Sequence, residues 1–185
     1  DGASGQFLDG SALAAPNSGT FAQLARVSTL ADQWIVVWQS NYSHDNAQAA
    51  ELGIFVRGDG TFGPQLNFTI IGGAPHVAGG VQRALVAWQT NSTSNANNDI
   101  ACRTVALDGS LGPVTVVSAA IGRQMKPAVA WDGDEWWIAW EDQRNQTSFF
   151  DQRTDVYGAR VNAGGSLLDP AGFAWNSAVD PVVQP

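Results

Sequence analysis

Apolar and polar residues alternate along this chain in short runs, and three of the runs share one design. Gln33-Trp34-Ile35-Val36-Val37-Trp38-Gln39, Arg83-Ala84-Leu85-Val86-Ala87-Trp88-Gln89 and Glu135-Trp136-Trp137-Ile138-Ala139-Trp140-Glu141 each end on a tryptophan followed by an amide or an acid. Alternation over runs this short, rich in β-branched and aromatic residues, predicts strands with one side chain in and the next out. The closing tryptophans Trp38, Trp88 and Trp140 lie 50 and 52 residues apart, so the chain repeats.

Turn signals repeat with the strands. Asp9-Gly10-Ser11, Asp59-Gly60-Thr61, Asp108-Gly109-Ser110 and Gly164-Gly165-Ser166 are separated by 50, 49 and 56 residues. Asp-Gly and Gly-Gly between apolar runs predict two-residue hairpins of type I′, whose central residues both need positive φ. A second pair of strand-like stretches, Val114 to Ser118 and Pro127 to Trp131, brings each repeat to about four short strands, the content of a propeller blade. Helix is nearly absent from this pattern. The most helix-like piece, Asn46 to Leu52, is short and has no apolar face.

The expected fold is all-β, a propeller-like array of four-stranded antiparallel repeats. Residues 1–20 read as the end of a preceding blade, 21–70, 71–120 and 121–173 as three complete repeats, and 174–185 as the beginning of a following blade. Three blades do not close a ring, since propellers run from about 4 to 8, and an open stack exposes strand edges that attract partners. Gln6-Phe7-Leu8 has no guard at such an edge, whereas Pro181 and Pro185 partly protect the other. Expected partners are therefore other protein chains or the remaining blades of a longer polypeptide, with carbohydrate as a candidate ligand.

The third repeat carries a resemblance. Pro127-Ala128-Val129-Ala130-Trp131-Asp132-Gly133, Trp137-Ile138-Ala139-Trp140-Glu141-Asp142, Asp155-Val156-Tyr157-Gly158-Ala159-Arg160-Val161 and Gly165-Ser166-Leu167-Leu168 resemble the "PAVA-DG, LVVWQD, DIYG-RV, G-L" repeats of bacterial extracellular β-propeller-like proteins. The likeness covers nearly the whole chain, more loosely in the first two repeats. It departs where Tyr157 becomes Leu52 and Ala101, and where Gly158 becomes Cys102. What the resemblance implies is a secreted, repetitive, non-catalytic module, extracellular or at the cell surface, without a catalytic motif to carry over.

Composition narrows the partners. The chain has 185 residues and a formal charge of −8, from 9 Lys plus Arg against 17 Asp plus Glu. With Lys126 its single lysine, it offers no basic surface for nucleic acid or an anionic leaflet. No run is long and apolar enough for a membrane-spanning helix. The N-terminus lacks both an initiator Met and an apolar signal region, which reads as a processed or excised product. Cys102 stands alone, excluding an internal disulfide and a cysteine-based zinc site, and in its strand-like run it reads as a buried, inert thiol. Neither a cofactor nor a calcium-loop motif is expected.

Candidate chemistry sits in the loops and on the first strands. The loops after each tryptophan run, 40–50, 90–98 and 142–154, should share one face; they are rich in Asn, Ser, Asp and Gln, with Tyr42, Phe149 and Phe150 as aromatic anchors. Each carries a glycosylation triplet, at Asn41, Asn91 and Asn145, and Asn67 adds another. Arg26, His76 and Ala128 align on the first strand, so Arg26 and His76 would mark a ligand site if that strand lines a channel. His44 lies in the first loop. Trp38, Trp88 and Trp140 recur in register and read as packing between blades. Trp137 points opposite to Trp136 and Trp140, a candidate platform for stacking a sugar.

Paired carboxylates would support glycoside hydrolysis, and Asp132, Asp134 and Glu135 form the densest acidic cluster. Asp99 and Asp155 recur in register, with Glu51 within one residue of the same place, which favours a repeated structural bond over one active centre. The reading is a non-catalytic binding or scaffolding module. The alternative is a fragment of a propeller glycoside hydrolase.

Overall fold

A computed structural model describes residues 22–41, 49–69, 72–90, 98–148 and 153–176. Twelve strands follow one another in these segments: β1 (Ala22–Leu30), β2 (Gln33–Asn41), β3 (Ala49–Arg57), β4 (Phe62–Thr69), β5 (Gly73–Gly79), β6 (Arg83–Gln89), β7 (Ile100–Ala106), β8 (Thr115–Ser118), β9 (Gln124–Trp131), β10 (Glu135–Asp142), β11 (Asp155–Asn162) and β12 (Phe173–Asn176). They form three four-stranded antiparallel sheets, β1 to β4, β5 to β8 and β9 to β12, each a meander of sequence neighbours. We number these blades I to III. Their first strands pack side by side, β1 with β5 and β5 with β9, as the inner strands of a propeller do. The fold is therefore the expected one, three blades of a β-propeller. Blade III runs on through β12, which pairs with β11, so residues 174–176 complete this blade rather than begin another.

Alternation along the strands gives every blade two faces. Ile35 and Val37 of blade I meet Val77, Ala84, Val86 and Trp88 of blade II in one buried cluster. On the other face of blade II, Leu85, Ala87, Ile100 and Cys102 meet Trp136, Ile138 and Trp140 of blade III. Each of these closing tryptophans thus reaches back to the preceding blade. Trp38 lies on the face of blade I turned away from blade II, buried with Leu52 and Ile54.

The turns between third and fourth strands differ from expectation. Gly60, Gly109 and Gly165 take φ of 82°, 86° and 92°, while Asp59, Asp108 and Gly164 do not enter the positive region. The Gly60, Gly109 and Gly165 N–H groups donate to the carbonyls of Arg57, Ala106 and Asn162, three residues back. These are three-residue loops closed by a glycine bulge, not type I′ turns. Side-chain capping explains the difference, because Asp59 accepts the Thr61 N–H at 2.9 Å and Asp108 the Ser110 N–H at 2.9 Å. That bond suits a right-handed aspartate, leaving only glycine in the left-handed region.

Sheet register bears out the alignment of the acids and gives its consequence. Asp142 pairs with Asp155, and Thr90 bonds Asp99, so Asp99 and Asp155 are equivalent. Their counterpart in blade I is Ala50, opposite Ser40. Glu51 instead pairs with Gln39, where blade II has Ile100 opposite Gln89 and blade III has Val156 opposite Glu141. Glu51 breaks the repeat and shares the face of Phe55, which packs toward blade II.

Candidate functional site

The inner edge is shaped by one irregularity repeated in every blade. Leu24, Ala74 and Lys126 adopt φ of 55°, 51° and 53°, and each lies where the pairing of first with second strand slips. A bulge of this kind turns a backbone N–H out of the ladder. The Ala74 N–H donates to Gln39 Oε1 at 3.4 Å, and the Lys126 N–H donates to Gln89 Oε1 at 3.2 Å. The motif of tryptophan plus amide therefore joins three blades: the ring reaches back, and the amide reaches forward to the next bulge. In blade III the same position is Glu141, which takes the Lys126 ammonium at 3.0 Å in an exposed pair.

Just past the bulges stand Arg26 and His76, and the structure brings them together on adjacent inner strands. The Val129 N–H of blade III donates to His76 Nδ1 at 3.1 Å, so the neutral ring carries its proton on Nε2. Burial, and then the Arg26 guanidinium, hold the His76 pKa below its ordinary value. Arg26 is exposed and donates to the Ala25 carbonyl at 2.9 Å. Within β1, β5 and β9 the basic residues are Arg26, His76 and Lys126, and no aspartate or glutamate occurs.

Trp137 belongs to a different surface, the face of blade III turned away from blade II. Its Nε1 donates to Asp132 Oδ2 at 2.8 Å, and its ring lies 6.3 Å from Phe173 and 6.1 Å from Trp175. Gly158, where the other blades have Gly53 and Cys102, leaves room for the Trp175 ring; a Cβ there would come within 2.7 Å of it. Arg160 covers part of Trp137 at 5.7 Å and holds Asp169 through bonds of 2.9 and 3.0 Å. Phe173 is 36% and Trp175 49% exposed.

The acids are mostly committed to structure. Asp132 accepts the N–H groups of Asp134 and Glu135 at 2.9 Å as well as Trp137, and these donors hold its carboxyl below the usual range, the Glu135 N–H most strongly. Glu135 pairs with Arg160 at 3.4 Å. Asp142 accepts Trp140 Nε1 at 2.8 Å and the Arg144 guanidinium at 2.7 and 2.9 Å, while Arg144 lies 3.8 Å above Tyr157. The loop after β10 is anchored by this cluster. Asn145 Nδ2 donates to Asp155 at 2.6 Å and to the Tyr157 hydroxyl at 3.4 Å, so a glycan there would displace a structural bond.

Glu51 is the exception. It is wholly buried, neither carboxylate oxygen has a hydrogen-bond partner among the described residues, and burial pushes its pKa up to about 8. Spacing already sets Glu51 one residue from the Asp99 and Asp155 position; register along β3 adds that this puts it on the opposite face, so it does not share in a repeated structural bond. Cys102 is buried with its thiol pushed up to about 12, consistent with an inert core residue. Among the described residues, no group of three His, Cys, Asp or Glu side chains could hold a metal. Tyr42, His44, Phe149, Phe150 and Asn91 lie outside the described residues, as do Gln6-Phe7-Leu8, Pro181 and Pro185.

No family model matches the sequence, and no curated protein does. Solved structures do. An α-L-arabinofuranosidase from Lactobacillus brevis is 16% identical with a TM-score of 0.55, over 80% of this chain and 55% of its own. The parainfluenza virus 5 hemagglutinin-neuraminidase ectodomain is 5% identical with a TM-score of 0.60, over 83% of this chain and 43% of its own. The Pyrococcus horikoshii acylaminoacyl peptidase is 12% identical with a TM-score of 0.50, over 83% and 25%. The chain thus spans about half the length of the first two. At these identities the likeness speaks for the fold alone, and that fold is a run of β-propeller blades.

Proposed function

We propose that this chain is an extracellular, non-catalytic binding or scaffolding module built from propeller blades. One observation carries the reading: polar groups on the strands and turns are used between and within blades. The recurring Gln39 and Gln89 hold the next bulge and the recurring Asp59 and Asp108 cap turns, while His76 holds the Val129 N–H and Asp132 caps the β9–β10 turn. Meanwhile β1, β5 and β9 present Arg26, His76 and Lys126 without a carboxylate, a poor arrangement for the paired acids of glycoside hydrolysis.

The module works with further blades. On blades I and II the forward face is covered by the next blade; on blade III the matching face carries Trp137, Val156, Phe173 and Trp175, the last three at least a third exposed. A blade of the same repeat, from this polypeptide or another chain, is the occupant that continues the established junctions.

A glycoside hydrolase is the second reading, favoured by one feature, the repeat-breaking acid Glu51, which would have to become exposed to reach a substrate. Assay of reducing ends released from arabinan, xylan and β-glucan separates the two. The module releases none; turnover abolished by Glu51→Gln or Glu135→Gln makes it an enzyme.

A further inference from the structure

Between blades II and III, at the hairpin end away from the post-tryptophan loops, lies a cleft of about 280 Å³. Trp131 and Trp136 floor it, and Gln82, Arg83 and Asp134 supply its polar rim. The two indole rings lie 4.7 Å apart at 57°, with Trp136 buried and Trp131 half-buried. Gly80 makes this packing feasible, since a Cβ on it would stand 2.9 Å from Trp136 and 3.3 Å from Trp131. Trp136 is fixed further by donating its Nε1 hydrogen to the Ala78 carbonyl at 3.2 Å.

Trp131 departs from the repeat. Its counterparts are Thr29 in blade I and Gly79 in blade II, whereas the Trp136 position is held by Trp34 in blade I and by Ala84 in blade II. At the junction of blades I and II, Gly79 packs flush against the Thr29 backbone, with no room for even a Cβ. Core packing alone therefore does not require two indoles at this place in a junction. The polar rim is equally particular: Gln82 and Asp134 sit at the tips of the β5–β6 and β9–β10 turns, and Arg83 and Asp134 are both exposed.

We infer that this cleft binds a saccharide, with one sugar ring stacked on Trp131 and its hydroxyls held by Asp134, Gln82 and Arg83. An indole face matches the C–H face of a pyranose, while a carboxylate, an amide and a guanidinium together offer acceptors and donors to neighbouring hydroxyls. The volume suits a terminal sugar or a single ring of a chain. This rests on the binding-module reading and names its ligand class.

The test is titration of the full chain with arabino-, xylo-, cello- and mannotetraose, followed by tryptophan fluorescence and calorimetry. Expected is saturable binding of at least one, weakened tenfold or more by Trp131→Ala and by Asp134→Asn, and unchanged by Trp34→Ala, an exposed indole of blade I outside the cleft. Melting temperatures of the variants confirm that they fold, and Asp134→Asn, on an exposed turn, keeps the test open if Trp131→Ala does not. Binding to none of the four, or binding indifferent to Asp134→Asn and Trp131→Ala, overturns the cleft assignment. Release of reducing ends in the same mixtures would instead overturn the non-catalytic reading, so the two failures are distinguishable.

Discussion

Two ionisable residues, Glu51 buried and His76 half-buried, give the blade junctions opposite responses to pH. Glu51 has a folded pKa raised from 4.5 to about 8, so the native state holds its proton more tightly than the unfolded chain, and stability falls as pH rises between those values. Once the group must ionise, the cost is on the order of 4 to 5 kcal/mol. Replacement by the residue that blade II uses there, Glu51→Ile, should raise the melting temperature and flatten its decline toward alkaline pH; an unchanged pH profile would mean that Glu51 is solvated or paired. His76 behaves the other way. Its folded pKa is lowered from 6.5, so its contribution is intact above that value and is lost as pH falls through the depressed one. His76→Ala, the blade III counterpart, should flatten the acid limb of the same melting curves.

Within an element, the same strand serves two junctions. Trp88 and Trp140 are each about 2% exposed and belong to the clusters that join their blade to the preceding one. Trp88→Ala and Trp140→Ala should each cost roughly 3 to 5 kcal/mol in denaturant unfolding, from lost transfer energy and the cavity left behind. The neighbouring amide is worth less: Gln89→Ala removes one acceptor from the Lys126 N–H at 3.2 Å and should cost about 0.5 to 1.5 kcal/mol. If Gln89→Ala destabilised as much as Trp88→Ala, the forward bond would be more than a single hydrogen bond. Strands and their packing faces were legible in the sequence because a period of two with a recurring tryptophan leaves few alternatives. Turn geometry was not, since Asp-Gly serves both a type I′ turn and a glycine bulge, and only the Asp59 and Asp108 caps decide between them. The bulges at Leu24, Ala74 and Lys126 were equally hidden, because nothing in those side chains announces a positive φ.

For the molecule as a whole, repetition made the architecture readable and the site hard to read. A repeat marks what is structural, so function is expected where it fails: Glu51 in place of an apolar residue, Trp131 where blades I and II have Thr29 and Gly79, and Arg26 and His76 where blade III has Ala128. Arg26, His76 and Trp137 stood out by alignment, yet the first two share the inner edge while Trp137 faces outward from blade III, a separation that only the sheet topology reveals. That outward face, with Trp175 49% exposed, is the surface on which a further blade is proposed to sit. Native mass spectrometry and sedimentation of the 19.5 kDa chain test this most directly. A scaffold of open blades predicts association into multiples of that mass, weakened by Trp175→Ser. A monomer at every concentration, with Trp175→Ser indistinguishable from it, would contradict the seating of a blade from a second copy of this chain on blade III.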